Sequence, residues 1–295
     1  MASINQPPVI GIIGGSGVYD IDGLINKRWV SFSSPFGSPS DDLLFGELNG
    51  QQLVFLPRHG RGHKISPSEI NFRANIDVLK RAGVTDVMSV SAVGSLREHL
   101  KPGMFVIVDQ FIDCTYARKK SFFGSGLVAH VSMAHPVCSR LGNHIEEAAK
   151  DAGISTLRGG TYLAMEGPQF SSLAESKLYR TWGCDVIGMT NMPEAKLARE
   201  AELCYATVAM VTDYDCWNPD YDDVSVDQVM KVLATNADKA RSLVKHVFPK
   251  VIDDVKGSIC SCRTALEYSI VTSPESRDAN MIKQLDAVAG RVLKR

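Results

Sequence analysis

Apolar residues along the chain fall into two alternating rhythms. Residues 9–13, 52–56, 86–90, 105–108, 161–165, 184–190 and 203–211 are short runs rich in Val, Ile, Leu and Met, the length and content of strands buried in a sheet. Between them lie stretches with helical start signals. Ser66-Pro67-Ser68-Glu69 combines a capping box with Pro at the first helical position and predicts a helix running to Gly83; residues 143–150 and 194–202 read as helices, and Ser172 with Glu175 starts one that reaches Trp182. Ser225 with Gln228 caps another, whose apolar positions Val226, Val229, Met230, Leu233, Ala237, Ala240 and Val244 follow a helical period. Periodicity is weak over 251–277, and Met281, Leu285, Val288 and Val292 return to the spacing of an amphipathic helix. Strands alternating with helices predict an α/β fold.

In such folds ligands gather beyond the carboxyl ends of strands, so the residues just after each run carry the chemical interest. The first run ends in Gly14-Gly15-Ser16-Gly17, a turn whose bare backbone and hydroxyl suit a phosphate or ribose contact. A dinucleotide fingerprint would need glycines at 15, 17 and 20, and position 20 is Asp; no Gly-Lys-Ser/Thr follows, which excludes an NTPase phosphate loop. The second run ends in Arg58-His59-Gly60-Arg61-Gly62-His63, either a phosphate fork with a supporting His or a solvated surface turn. The third ends in Ser91-Ala92-Val93-Gly94-Ser95. After residues 105–108 comes a long polar loop carrying Phe122, Phe123 and His130 to His135, a length more often functional than idle.

The run 203–211 stops at Thr212-Asp213-Tyr214-Asp215-Cys216-Trp217. If the chain stays extended, Asp213 and Asp215 point to one side, and two like charges that close raise one pKa, leaving one acid able to donate while the other accepts. Adenine asks for that pair, with an acceptor at N7 and a donor at N6. On spacing alone the same residues read rather as solvated loop acids or the N-cap of the next helix, since Asp is a common turn residue.

Composition narrows the class. The 295 residues are 44% hydrophobic and 22% charged with a formal net charge of -1, which leaves a nucleic-acid or anionic-membrane partner without electrostatic support. The one basic knot, Arg118-Lys119-Lys120, reads as a solvated loop face. The N-terminal segment lacks the basic and apolar regions of a signal peptide, and the expected location is cytoplasmic. Seven cysteines without a Cys-x-x-Cys suit a reducing compartment and offer no familiar metal-ligand spacing; Cys260-Ser261-Cys262 reads as two free thiols, with a small strained disulfide as the alternative.

Taken in order, Gly14-Gly15-Ser16-Gly17-Val18, Arg58-His59-Gly60, Asn71-Phe72-Arg73-Ala74-Asn75, Ser91-Ala92-Val93-Gly94-Ser95, Met165-Glu166-Gly167-Pro168-Gln169-Phe170, Ile187-Gly188-Met189-Thr190 and the Asp213 segment resemble the trimeric purine nucleoside phosphorylase family. The resemblance covers about residues 9–250. It implies a single domain over 1–295 with a central mixed β-sheet flanked by helices, and a C-terminal extension, 251–295, packing on the core or on a neighbouring subunit of a homotrimer. It also implies phosphorolysis: phosphate attacks C1′ of a nucleoside with inversion. The likeness is strongest to members that split 5′-deoxy-5′-methylthioadenosine into adenine and 5-methylthioribose 1-phosphate in methionine and purine salvage; the rival is a phosphorylase of methylthioinosine or of purine nucleosides at large.

By the same resemblance, Ser16, Arg58, His59, Ser91, Ala92 through its backbone, and Thr190 hold phosphate. Met189 meets the ribose, Phe170 packs on the base, and Asp213 and Asp215 bind N7 and N6, Asp213 as the proton donor. His130, Val226 and Val229 shape the 5′-methylthio pocket, His130 from the adjacent subunit. Phosphate is a substrate, and neither cofactor nor metal is implied. Position 188 is Gly where some relatives carry Asn, and position 16 is Ser where they often carry Thr. Members that take 6-oxopurines tend to carry Asn at the site matching Asp213, so Asp there favours 6-aminopurines.

Overall fold

The computed structural model describes residues 8–15, 17–221, 226–254 and 260–294, apart from the side chain of Gln228. Eleven strands form one mixed sheet: β1 (Ile10–Gly14), β2 (Ile25–Val30), β3 (Leu43–Leu48), β4 (Gln51–Pro57), β5 (Asp86–Ser95), β6 (Phe105–Ile107), β7 (Gln110–Asp113), β8 (Thr156–Arg158), β9 (Thr161–Ala164), β10 (Val186–Gly188) and β11 (Cys204–Asp213). The path β2-β3-β4-β1-β5-β10-β9-β7 forms one arm, while β11 pairs with β5 and β6, and β6 with β8. Helices α1 (Phe72–Arg81), α2 (Ser139–Asp151), α3 (Leu173–Thr181), α4 (Asn191–Glu200), α5 (Val226–Asp254), α6 (Ala279–Gln284) and α7 (Gly290–Leu293) complete the fold. The central mixed sheet flanked by helices is the architecture expected from the sequence.

β11 explains how the layers hold. Its side chains alternate strictly: Tyr205, Ala209 and Val211 enter one apolar cluster together with α1 and α4, and Cys204, Ala206, Val208 and Met210 enter another with α2 and α5. A strand buried on both faces cannot show a polar-apolar alternation, so it reads in sequence as one continuous apolar run.

β5 positions the site. One edge is lined along its length by β11, from Cys204↔Asp86 to Asp213↔Gly94. The other edge is shared: β1 pairs only as far as Ile13↔Ser89, and β10 begins only at Ile187↔Gly94. Residues 90–93 face a gap in the sheet.

Several expectations shift. The helix expected from Ser66 is only a 3₁₀ turn over Pro67–Glu69, in which the Ser66 hydroxyl donates to the Glu69 carboxylate (2.7 Å). Ile70 is extended, and α1 starts at Phe72 because the Asn71 side chain accepts from Ala74 N. The Ser172–Glu175 capping box forms both of its bonds. The cap expected from Ser225 and the Gln228 side chain lies outside the described residues. The tail is two short helices, and Leu285, Val288 and Ala289 sink into the first apolar cluster with Met281 and Val292 against it. No described helix is long and apolar enough to cross a membrane.

Candidate active site

Asp213 ends β11, but the chain does not run on extended. The register slips between Val211 and Asp213, and Asp215 takes a left-handed backbone (φ 53°). The two acids are therefore brought together by a turn: Asp215 N donates to Asp213 Oδ1 (2.8 Å), while the Thr212 hydroxyl donates to Asp213 Oδ2 (2.7 Å). Both lie on Gly94. A Cβ at that position would come within 2.8 Å of Asp213 Oδ1 and 3.3 Å of the Asp215 Cβ, so the strand must carry glycine there. Burial pushes both carboxyls above the ordinary range. For Asp213 the neighbouring Asp215 charge adds to the rise, against the Thr212 and Asp215 hydrogen bonds; for Asp215 the Ser176 and Ser171 hydroxyls oppose it. Asp215 Oδ2 is buried without a well-formed hydrogen bond among the described residues, Ser176 and Ser171 reaching the carboxyl only weakly, so this oxygen stays open to a donor.

The sheet gap holds the residues expected at phosphate. The Ser89 and Val93 carbonyls accept from the Thr207 and Thr212 hydroxyls of β11, so by strand alternation the Ala92 N–H faces the gap. Ser91 Oγ lies 3.0 Å from Thr190 Oγ1 and 3.2 Å from the Tyr162 hydroxyl, which draws β5, β9 and the start of α4 to one point. Arg58 is buried, 2% exposed. Its fork is taken: Nε and NH2 donate to the two Glu194 oxygens (2.8 and 3.2 Å), NH2 also to Ser89 Oγ (2.6 Å), and NH1 to the Val90 carbonyl in the gap (3.0 Å). Burial alone would lower the guanidinium pKa, but the Glu194 charge outweighs it and Arg58 stays protonated. What Arg58 offers an anion is a single NH1 hydrogen, not the bidentate fork the sequence suggested.

His59 is pushed down to about 4, chiefly by burial and also by the Arg58 and His63 charges. Its Nδ1 is 2.8 Å from the Ile65 carbonyl, which can only accept, so the proton of the neutral ring sits on Nδ1 and Nε2 is left as an acceptor. The ring stacks on His63 at 4.1 Å. Ser16 lies outside the described residues.

Arg118 overturns its reading as a solvated face. It is 7% exposed and donates to the Glu166 carboxylate (3.2 Å) and carbonyl (2.7 Å) and to the carbonyls of Met189 and Met192 (2.6 Å each). Glu166 also accepts from Ser68 and from the Tyr116 and Ala117 N–H groups. Burial raises its pKa, but these bonds and the Arg118 charge together bring it down to about 2. The pair clamps the Met165–Phe170 turn against Met189. Phe170 itself is half exposed, and Met189 covers Gly167, where any Cβ would meet its sulfur at 2.5 Å. Gly188 is explained by Tyr162, whose hydroxyl would stand 2.0 Å from a Cβ there.

The residues expected around a 5′ substituent are not drawn into this cluster. His130 is exposed on a strap tied to the C-terminal segment, its N–H donating to the Ser269 carbonyl (2.8 Å). Val226, 67% exposed, opens α5, with Val229 partly covered. The sequence assigns no role to Glu194 and Tyr162, since a lone Glu or Tyr within a helix or strand carries no motif, nor to Glu166, which stands inside the Met165–Phe170 motif, and it does not foretell the burial of Arg118.

The description "Phosphorylase superfamily" matches residues 9–249. The chain is 63% identical over 293 residues to S-methyl-5'-thioadenosine phosphorylase of Rhodospirillum rubrum, covering 99% of this chain and 100% of that one. It is 58% identical to the protein of the same name from Cereibacter sphaeroides, covering 97% and 99%. Among solved structures it resembles a methylthioadenosine phosphorylase from an antarctic soil metagenomic library (47% identity, TM-score 0.89, 96% and 99% covered). It also resembles the Schistosoma mansoni methylthioadenosine phosphorylase in complex with adenine (36%, TM-score 0.75, 84% and 96% covered).

Proposed function

The chain belongs to the phosphorylase superfamily, and with that as premise we propose how its residues divide the work. The protein is a pentosyltransferase that cleaves 5′-deoxy-5′-methylthioadenosine with inorganic phosphate, giving adenine and 5-methylthioribose 1-phosphate. Phosphate occupies the gap beside β5, touching the Ala92 N–H, the Ser91 and Thr190 hydroxyls, the spare Arg58 hydrogen, His59 and Ser16. Adenine lies over Gly94 between Asp213 and Asp215, with Phe170 on its face. Met189 lines the ribose.

The observation that carries this division is the carboxyl pair: a partly buried Asp213 and a buried Asp215 in contact, the second with an oxygen open to a donor. As the glycosidic bond breaks, positive charge grows on the sugar and negative charge on the purine. Asp213, whose burial favours the protonated form, hands its proton to N7, and Asp215 accepts from the 6-amino group. Phosphate on the opposite face of the ribose stabilises the cation and then closes on C1′. The proposed chemistry calls for no cofactor and no metal at this site, since phosphate itself is the second substrate.

We further propose that the chain works as a homotrimer in the cytoplasm. Tyr116, Tyr268 and Val271 stand exposed by 81%, 95% and 61%, open to a subunit contact, and the cysteines form no disulfide among the described residues. His130 of one subunit then completes the 5′ pocket with Val226 and Val229 of the next. Rates with methylthioadenosine, adenosine, inosine and methylthioinosine test the assignment. The adenine compounds should release base only when phosphate is present, and inosine turned over as fast as methylthioadenosine would sink the role of the Asp pair.

A further inference from the structure

Cys138, Cys204, Cys260 and Cys262 converge although they come from three places in the sequence: the residue before α2, the first residue of β11, and both thiols of the Cys260-Ser261-Cys262 segment. Their Sγ atoms all lie within 4.8 Å of one another, and those of Cys138 and Cys260 are 3.5 Å apart. A tetrahedral zinc with bonds of about 2.3 Å has sulfur–sulfur edges of about 3.8 Å, so four such sulfurs need only small rotamer changes to surround an ion.

The surroundings carry compensating charge. Arg199 reaches Cys262 Sγ at 3.5 Å, Arg140 lies within electrostatic reach of Cys204, and Arg263 and Arg140 both pair with the fully buried Asp86. A zinc held by four thiolates has net charge -2, which with Asp86 gives -3, and three guanidiniums offset it. Cys138 also sits at the N-terminus of a 13-residue helix, where the peptide dipoles favour a thiolate. Three of the four sulfurs belong to buried residues, so an ion there would be closed off from solvent.

We propose that these four cysteines bind one structural Zn²⁺, the four thiols releasing their protons to solvent as the ion enters. The site is remote from the chemistry: Cys204 begins β11 and Asp213 ends it, about 30 Å apart at strand rise. It joins α2, the sheet and the C-terminal segment, and so staples residues 260–294 to the core.

The test is the metal content of the full-length protein purified without chelator and dialysed. About one zinc per chain, with an X-ray absorption shell of sulfurs only near 2.3 Å, is expected. The Cys260→Ser/Cys262→Ser double variant should lose the zinc and melt at least about 5 °C lower, with kcat on methylthioadenosine within about twofold of the parent. Protein that stays free of zinc even after incubation with zinc chloride under reducing conditions overturns the proposal, as do disulfides among these cysteines found by peptide mass spectrometry of protein isolated under thiol trapping. Zinc retained in full by the double variant overturns the ligand assignment.

Discussion

Replacing Asp213 by Asn isolates the proton from everything else the residue does. The amide oxygen can still accept from Asp215 N, and the Thr212 hydroxyl, which also lies 3.1 Å from the Val93 carbonyl, can keep that bond while accepting from the new NH₂. The fold therefore loses about 1 kcal/mol or less. The reaction loses its acid, worth about 10²- to 10⁴-fold, or roughly 3–5 kcal/mol of barrier. Phosphorolysis of methylthioadenosine at saturating phosphate, followed by adenine release, measures the loss, and a melting curve verifies the fold. The pH dependence adds a second reading. Asp213 is raised above the ordinary carboxylate range by burial, so kcat/KM should fall as pH rises through its folded pKa, and the Asn variant should lack that limb. The same shift makes the native carboxyl a liability at higher pH. An acid raised on folding contributes stability below its unfolded pKa that is lost as pH rises through the folded one, so the variant's melting temperature should gain on the parent's as pH rises above about 4. Unchanged turnover in a well-folded variant would show that the proton comes from elsewhere.

Gly94→Ala should lower kcat at least about tenfold with a small loss of stability, because the new methyl must displace Asp213 Oδ1 from 2.8 Å and lean on the Asp215 Cβ; parental kcat would mean the acids are not held by this contact. Glu194→Gln removes the counter-charge of a buried Arg58 and turns one of its two carboxylate acceptors into a donor, while the amide oxygen can still serve Ser89 and Tyr205, which share Oε1; stability should fall by about 3–5 kcal/mol and the phosphate KM should rise, and urea melts and a phosphate titration decide it. Glu200, raised by burial to about 7 while Ser121 and Phe122 N–H hold it back, makes folding less favourable as pH climbs from its unfolded value through about 7. Glu200→Gln should therefore melt above the parent at pH 8 by more than it does at pH 5 (about 5 and 8 being chosen to bracket the shift), and a pH-independent difference refutes the titration.

The sheet's inner strands were readable because β1, β4, β5 and β11 are buried on both faces and leave uninterrupted apolar runs. β2, with Asn26, Lys27 and Arg28 exposed on the sheet edge, has no such run and went unseen. β3 was missed as well, although Leu43, Leu44, Phe45 and Leu48 are buried. The start of α1 was misplaced because two capping signals compete: Ser66-Pro67 and Asn71 are both good starts, and the extended Ile70 between them decides for the second. At the site, strand-end hydroxyls and the two acids stood out by position. The residues that hold them did not, because Glu194, Tyr162 and Arg118 act through partners 136, 71 and 48 positions away in sequence, and no local pattern records a pairing of that range. The cysteine cluster was hidden likewise, since Cys138 and Cys204 reach Cys260 and Cys262 only through the packing of α2 against β11.

The wiring of Arg58 bears on why phosphate can both bind and react. A lone buried guanidinium about 4 Å from an anion would attract it by about 4 kcal/mol per unit charge at an effective dielectric of 20. Here Glu194 stands behind Arg58 with both oxygens engaged, so the attraction is the difference of two opposed Coulomb contributions. His59 adds no charge near neutrality, because its pKa lies at about 4, and its free Nε2 can only accept a hydrogen bond. The proposed subsite must then hold phosphate through hydroxyls, N–H groups and one Arg hydrogen, and it suits an anion that keeps a proton of its own to give Nε2. Donors of that kind orient the nucleophile without saturating its negative charge, and that charge is what the ribosyl cation has to meet. A stronger cationic trap would tighten phosphate and the sugar phosphate product alike, adding binding that does nothing for the step in which the bond to the purine breaks.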